Sequence, residues 1–150
     1  ALPIWHKKQE KLARMYGYVT NKIGRKRRLP DAMINTHGEY NYKVSEALRQ
    51  AINSPVQSLA SDINLLSAIE IDEKIDNNIC QMIGSMRDAN LFLVRSDEID
   101  IVAPQIRKIM EDPTILREVF KCKLSVPLVC DMKVGPWSQG VKYDFGKKNK

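Results

Sequence analysis

The sequence predicts an α+β fold: an antiparallel sheet, made of a hairpin and a returning strand, backed by helices. Three observations predict it. The first half carries long stretches with apolar residues at helical spacing. Two short apolar runs then flank the dipeptide Arg87-Asp88, as a tight hairpin requires. A further helix and a returning apolar stretch follow, an order that suits helices gathered against an antiparallel sheet. At 150 residues the chain is the size of a single unit with one core, and 43% hydrophobic with 28% charged residues excludes a mostly disordered chain.

Taken in order, residues 3–15 read as a helix, with Pro3 suited to a first turn and Ile4, Lys8, Leu12 and Met15 recurring along one side. Gly17 ends it. Tyr18-Val19-Thr20 with Ile23 predicts a short strand, followed by a cationic turn over Gly24-Arg25-Lys26-Arg27-Arg28; residues 31–39 predict a loop. A helix is expected from about Tyr40 to Ile52, presenting Val44, Ala47, Leu48, Ala51 and Ile52 on one face. Pro55 should interrupt it at Asn53-Ser54 and start a second helix to about Ile75, burying Val56, Leu59, Ala60, Ile63, Leu66 and Ile69.

The hairpin pairs residues 79–86 with residues 89–94, although Arg-Asp lacks the residues that usually supply positive φ in such turns. Ser96 is expected to cap a helix, with Asp97 and Glu98 favourable against its dipole. Its buried stripe is Ile99, Val102, Ile106, Ile109 and Met110, with a kink at Pro104. A short helix at 114–120, a strand at 126–134 and a turn at Gly135-Pro136-Trp137 complete the reading.

The net charge of +6 is unevenly spread. Residues 1–30 carry nine basic groups against Glu10 alone, residues 31–112 seven against fourteen acidic, and residues 113–150 eight against three. Basic ends around an acidic middle can hold a polyanion while leaving carboxylates free for metal ions. The same pattern also describes a solvated surface with a basic tail at Lys147-Lys148-Asn149-Lys150. No apolar run is long enough to span a bilayer and no secretory leader opens the chain, so a cytoplasmic location is expected. Ala1 in first place suggests a processed or excised chain.

Cys80, Cys122 and Cys130 are odd in number and lack metal-ligand spacing, which reads as reduced thiols. His6 and His37 have no second ligand at metal spacing, and Trp5 and Trp137 read as packing residues. Asp88 holds the clearest chemical potential. A carboxylate at the tip of a hairpin of two apolar strands is held in place yet reaches solvent, as a metal ligand in phosphoryl transfer must. One carboxylate cannot hold two ions about 3.5–4 Å apart, so a second acid must come from elsewhere. A plain polar turn is the alternative.

At this point the sequence resembles a family. Asn53-Ser54-Pro55-Val56-Gln57-Ser58-Leu59-Ala60-Ser61-Asp62 resembles the N-x-P-V-Q-G-x-A-A-D motif of family A (bacterial polymerase I-like, and here phage-type) DNA polymerases. Upstream, Gly17-Tyr18-Val19-Thr20 and Gly24-Arg25-Lys26-Arg27-Arg28 resemble that family's G-Y-V-x-T…G-R-R-R segment. Met86-Arg87-Asp88-Ala89 between apolar strands is similar to its third palm motif, V-H-D-E. Val126-Pro127-Leu128…Val134-Gly135-Pro136-Trp137 is similar to its closing strand and tryptophan.

The resemblance implies the C-terminal part of a polymerase palm over 1–150, with adjoining fingers elements over about 1–39. It implies that Asp88 is catalytic and binds Mg²⁺, and that Arg87 stands where a histidine contacts the primer terminus. Asn53 and Gln57 would contact the duplex minor groove. Arg25, Lys26, Arg27 and Arg28 would neutralise phosphates. The implied partners are primer-template DNA, deoxynucleoside triphosphates and an N-terminal polymerase part.

The sequence departs from the pattern at Ser58 (usually glycine), Arg87 (histidine) and Ala89 (acidic). A rival register reads Asp97-Glu98-Ile99…Ala103-Pro104 as D-E-L…A-P, but the interval from Gln57 to Asp88 is the better kept. The family's first palm motif, with the other metal-binding acid, has no counterpart here, nor do the triphosphate-binding fingers helix and the exonuclease motifs. The expectation is therefore a split polymerase, inactive without its N-terminal part. The alternatives are a non-catalytic basic DNA-binding or assembly module with a polymerase-derived fold, and a piece of a related single-subunit RNA polymerase, which the N-x-P-V-Q segment disfavours.

Overall fold

A computed structural model describes residues 2–136 and 138–145. The readings made for Trp137 and for the Lys147-Lys148-Asn149-Lys150 tail lie outside the described residues. Among the described residues the elements run in the order α1 (Leu2–Tyr16), β1 (Tyr18–Thr20), β2 (Lys26–Arg28), a 3-10 turn (Pro30–Met33), α2 (Tyr42–Lys74), β3 (Cys80–Met86), β4 (Ala89–Val94), α3 (Ile99–Glu111), α4 (Thr114–Glu118), β5 (Lys133–Val134) and β6 (Val141–Lys142). The predicted α+β class holds. Among the described residues the strands pair as three two-stranded sheets, β1–β2, β3–β4 and β5–β6. Internal contacts divide the chain into two compact units, Ala1–Ser61 and Asp62–Lys150, with α2 contributing to both.

In the first unit Gly17, at φ +69, ends α1 as expected, and its amide donates to the Ala13 carbonyl at 2.9 Å. Its positive φ is a conformation that L side chains rarely adopt, and a Cβ there would also require the exposed Met33 side chain, whose Sδ would lie 2.6 Å away, to move. α1 forms over Leu2–Tyr16, close to the range read from the sequence. Ile4 and Met15 are exposed, while Gln9 and Ala13 are buried. Ala13, Val19, Leu29, Ala32, Ala47 and Ala51 form the core, with Leu12 and Leu48 packed against it. The predicted face of the early part of α2, Val44-Ala47-Ala51, is buried as read. Asn41 starts the helix: its Oδ1 accepts the amides of Lys43 (3.0 Å) and Val44 (3.4 Å), as an N-cap does.

α2 does not break at Pro55. It continues as one 33-residue helix. A proline in a helix interior costs about 3 kcal/mol relative to alanine. Here the ring is buried and apolar residues pack on both sides of it in sequence, at Ala47 and Ala51 before and Ile63 and Ile71 after, which offsets the lost hydrogen bond.

In the second unit the core joins Ile71, Ile75, Cys80, Val102 and Ile106, with Ile79, Phe92, Val94, Ile109, Met110 and Met132 packed against it. The later part of α2 is rotated from its predicted stripe. Val56 and Ile69 are exposed, whereas Ile63, Ala68 and Ile71 are buried together with Asn64, Ser67 and Glu70. Those polar groups are admitted because each is bonded; the Ser67 hydroxyl, for example, donates to the Ile63 carbonyl at 2.8 Å.

The β3–β4 hairpin forms as predicted. α3 begins later than expected: its cap is Glu98, with no side-chain cap bond, and Ser96 lies in the preceding turn. Pro104 is on the exposed side of α3. Residues 126–132 are irregular rather than a strand, which is confined to Lys133–Val134. Pro127 lacks an amide to donate, and the Cys130 amide donates to Glu111 Oε1 (3.1 Å) instead of to a ladder. The Tyr143 hydroxyl donates to Asp100 Oδ1 (2.6 Å), and Arg107 lies over the Phe145 ring at 4.4 Å, so the C-terminal ribbon is tied to α3.

Glu70 is 1% exposed, with Lys74 Nζ 2.5 Å from its Oε1 and the Ile115 amide donating to its Oε2 at 3.3 Å. Burial alone would raise its carboxyl, but hydrogen bonds from Lys74, Thr114 and the Ile115 amide outweigh that and hold it below the ordinary glutamate range. Its stabilisation is therefore present above the unfolded pKa and lost as pH falls through the folded one. Glu70→Gln is expected to lower the unfolding free energy by about 1–3 kcal/mol at pH 7, with the deficit shrinking as pH drops below about 4, as followed by urea melts.

Candidate functional site

The first unit carries a groove of about 760 Å³ between the basic ribbon and α2, lined by Arg25, Lys26, Arg27, Arg49, Asn53 and Gln57 among others. Four cationic side chains on its walls face one acidic residue, Glu46. The sequence reading of a cationic turn is corrected here. Lys26–Arg28 form a strand paired with Tyr18–Thr20, and the turn lies over residues 21–25. Asn21 makes it: its Oδ1 accepts the amides of Ile23 (3.1 Å) and Arg25 (3.0 Å), closing the bend locally.

The ribbon is tied to α2 at two points. Asn21 Nδ2 donates to Ser58 Oγ at 3.1 Å, and Arg27 Nη2 donates to Gln50 Oε1 at 3.1 Å. Gln50 in turn donates to Glu46 Oε1 (3.1 Å), and the other oxygen of that carboxylate, Oε2, pairs with Arg49. The Gln50 hydrogen bond, with the charge and hydrogen bond of Arg49 added to it, outweighs the opposing effect of burial and holds the Glu46 carboxyl below its usual range. Asn53 and Gln57 lie one helical turn apart and both are exposed along the groove. Arg28 is exposed but does not line it. Lys26 stacks over Tyr18, 4.8 Å from the ring centroid. Ser58, where the resembled motif has glycine, thus has a definite use as the acceptor for Asn21.

In the second unit the β3–β4 register pairs Met86 with Ala89, so Arg87-Asp88 is the whole two-residue loop. Both side chains are exposed. Arg87 supplies the positive φ (+57) that the turn needs, at a cost of about 1–2 kcal/mol for an L-residue with a Cβ. The register slips between Met82 and Gly84, a bulge that sharpens the local twist on the way to the tip. Ser85 and Asn90, the next pair inward, bond to Asn64 of α2. Among the described residues no cluster of three or more His, Cys, Asp or Glu side chains is placed to hold a metal ion.

The rival acid is differently placed. Asp97 lies in the turn before α3, its carboxylate engaged by Arg95, whose hydrogen bond holds it below its usual range. Arg25, Lys26, Arg27, Asn53 and Gln57 share the groove of the first unit, whereas Arg87 and Asp88 belong to the hairpin of the second. Sequence reasoning missed Asn21, Arg49, Gln50, Asn64, Ser85 and Asn90. Arg49 and Gln50 were within reach of it, since they precede Asn53 by one helical turn. The described cysteines are all free, and burial pushes the Cys80 and Cys130 thiols up, which makes them poor nucleophiles. No helix of the described residues is long and apolar enough to cross a membrane.

Comparison with known proteins gives this geometry a context. The family model described as DNA polymerase family A matches residues 2–139. The DNA polymerase of Bacillus phage SP01 is 29% identical over 136 residues, covering 87% of this chain and 14% of that protein. DNA polymerase I of Caldicellulosiruptor bescii is 32% identical over 127 residues, covering 83% of this chain and 14% of that protein. The POL domain of Pol1 from M. smegmatis, solved in complex with DNA primer-template and dNTP, is similar with a TM-score of 0.65 at 28% identity. That match covers 82% of this chain and 20% of the solved one. The chain spans only a small part, 14%, of either curated relative. With the family's pattern matched from residue 2 to residue 139 and its fold shared, the chain belongs to DNA polymerase family A.

Proposed function

We propose that this chain is the C-terminal palm portion of a DNA-directed DNA polymerase, with adjoining fingers elements over about residues 1–39. It contributes one metal-binding acid and a set of duplex-binding residues to template-directed nucleotidyl transfer. The observation that carries the reading is Asp88, exposed in a two-residue loop whose other member accepts a strained backbone conformation. Strain of that kind concentrates where a side chain must be aimed.

Asp88 is a hard oxygen donor, which suits Mg²⁺, an ion that takes one or two carboxylates together with water and substrate phosphates. Bound there, Mg²⁺ supplies charge stabilisation to the attacking primer hydroxyl and the leaving pyrophosphate. Arg87 brings a fixed charge and long reach to a phosphate or a minor-groove acceptor near the primer end. Asn53 and Gln57 donate to minor-groove acceptors that every base pair presents, giving grip without sequence preference. Arg25, Lys26, Arg27 and Arg28 hold the duplex through its phosphates. The remaining acid and the triphosphate-binding helix come from an N-terminal polymerase part, and the reaction takes place in the cytoplasm of a bacterium or a phage-infected cell. Ala89, where the resembled motif has an acid, favours a second reading in which the chain binds DNA or assembles with partners without catalysing.

Primer extension by the chain together with an N-terminal polymerase part decides between them. The chain alone is expected to be inactive, and Asp88→Asn to cut the complete system's rate by about 10³-fold. Extension by the chain alone, or unchanged extension with Asp88→Asn, overturns the proposal, while DNA binding without any extension selects the second reading. The triple variant Arg25→Ala, Lys26→Ala and Arg27→Ala is expected to weaken duplex binding alike for unrelated sequences. It should also flatten the dependence of log affinity on log salt by about 2–3. An unaltered slope removes these residues from the phosphate contacts.

A further inference from the structure

Two different forces hold the two ends of the β3–β4 hairpin. At its open end Cys80, Phe92 and Val94 are packed into the core with Ile71, Ile75, Val102 and Ile106. Towards the tip the apolar hold weakens: Ile83 is 55% and Met86 62% exposed, and Leu91 is only half-buried. An isolated two-stranded ribbon is marginal in water, so a tip without packing would fray. Yet this tip carries Arg87 in a conformation that only a firmly held environment keeps populated.

We infer that Asn64, Ser85 and Asn90 form a polar clamp that aims the Arg87-Asp88 loop, which makes Asn64 and Asn90 positioning residues for Asp88. This rests on the reading of Asp88 as the metal-binding acid. Asn64 is 8% exposed on α2. Its Nδ2 donates both hydrogens, to Asn90 Oδ1 at 3.0 Å and to Ser85 Oγ at 3.3 Å. Asn90 Nδ2 returns a bond to the Asn64 carbonyl oxygen at 3.2 Å, and the Ser85 hydroxyl donates to the Ala89 carbonyl at 3.4 Å. Ser85 and Asn90 are paired across the hairpin, one rung inward from Met86 and Ala89. One buried amide therefore holds both strands at the last rung but one before the loop. An apolar contact at the same place would exclude water but leave rotation about the hairpin axis free, whereas directional bonds fix it. Asp88 has no neighbouring acid at position 89 to share the grip on an ion, which raises the demand on its aim.

Replacing both amides with apolar residues of similar volume tests aim apart from stability, because removing both partners of a buried hydrogen bond is far less damaging than removing one. In primer extension with the N-terminal polymerase part present, Asn64→Leu with Asn90→Leu is expected to lower kcat by about 10–100-fold and to raise the half-saturating Mg²⁺ concentration. The KM for nucleotide and the Kd for primer-template should stay within about twofold, as expected if the lost contacts act on the reacting state alone. In the chain itself, backbone amide exchange at residues 86–89 should quicken about tenfold, while exchange at 80–82 stays as it was. Unaltered exchange at the tip overturns the clamp. Parental kcat and Mg²⁺ dependence beside an inactive Asp88→Asn control overturns its role in catalysis. Full activity in Asp88→Asn itself brings down the reading of Asp88, and the clamp's catalytic role with it.

Discussion

α2 runs unbroken through Pro55, and side chains along it reach both hairpins that carry the candidate chemistry. In the first unit Gln50 and Ser58 receive hydrogen bonds from Arg27 and Asn21 and so hold the basic ribbon. In the second, Asn64 meets Ser85 and Asn90 below the Arg87-Asp88 loop. Short ribbons are too small to be stable by themselves, so their placement depends on what they are tied to. Within each unit a helix is a suitable anchor, because neighbouring residues along it are fixed by a regular rise and turn.

The ties are polar, and that has a consequence for the helix. Its second half buries Asn64, Ser67 and Glu70 among Ile63, Ala68 and Ile71. Burying such groups is unfavourable unless they are hydrogen-bonded, and each of the three is. Glu70 reaches the first turn of α4, and Asn64 reaches the hairpin, so the polar residues of the buried face are the ones that specify what packs where. An entirely apolar face would bury more area yet allow neighbours to slide or rotate. The exposed side of the same helix keeps Asn53 and Gln57 available along the groove.

Family membership is carried by separated motifs, and each departure from them acquires a physical setting. Ser58, in place of glycine, accepts the Asn21 amide that closes the basic ribbon. Arg87, in place of histidine, adopts the positive φ that the two-residue loop requires. Ala89, in place of an acid, leaves Asp88 as a lone carboxylate on the tip.

The sequence by itself determined the α+β class, the early apolar face of α2, the ending of α1 at Gly17 and the hairpin around Arg87-Asp88. These are local: periodicity, a glycine and two apolar runs of matched length suffice to specify them. It also marked Asp88 and the basic run as candidates, because charged residues stand out against apolar strands and turns, while Asn53 and Gln57 were marked by the resemblance to a family motif. Tertiary structure decided the rest. Whether Pro55 breaks a helix depends on the packing on either side of it, and which side of α1 or late α2 is buried depends on neighbours that no window of residues contains. The conversion of a cationic turn into a strand depended on Asn21 closing the bend. The partnership of Asn64 with Ser85 and Asn90 joins residues more than twenty positions apart. Hydrogen bonds between distant amides leave no periodic trace along a chain, and only the fold brings them within reach.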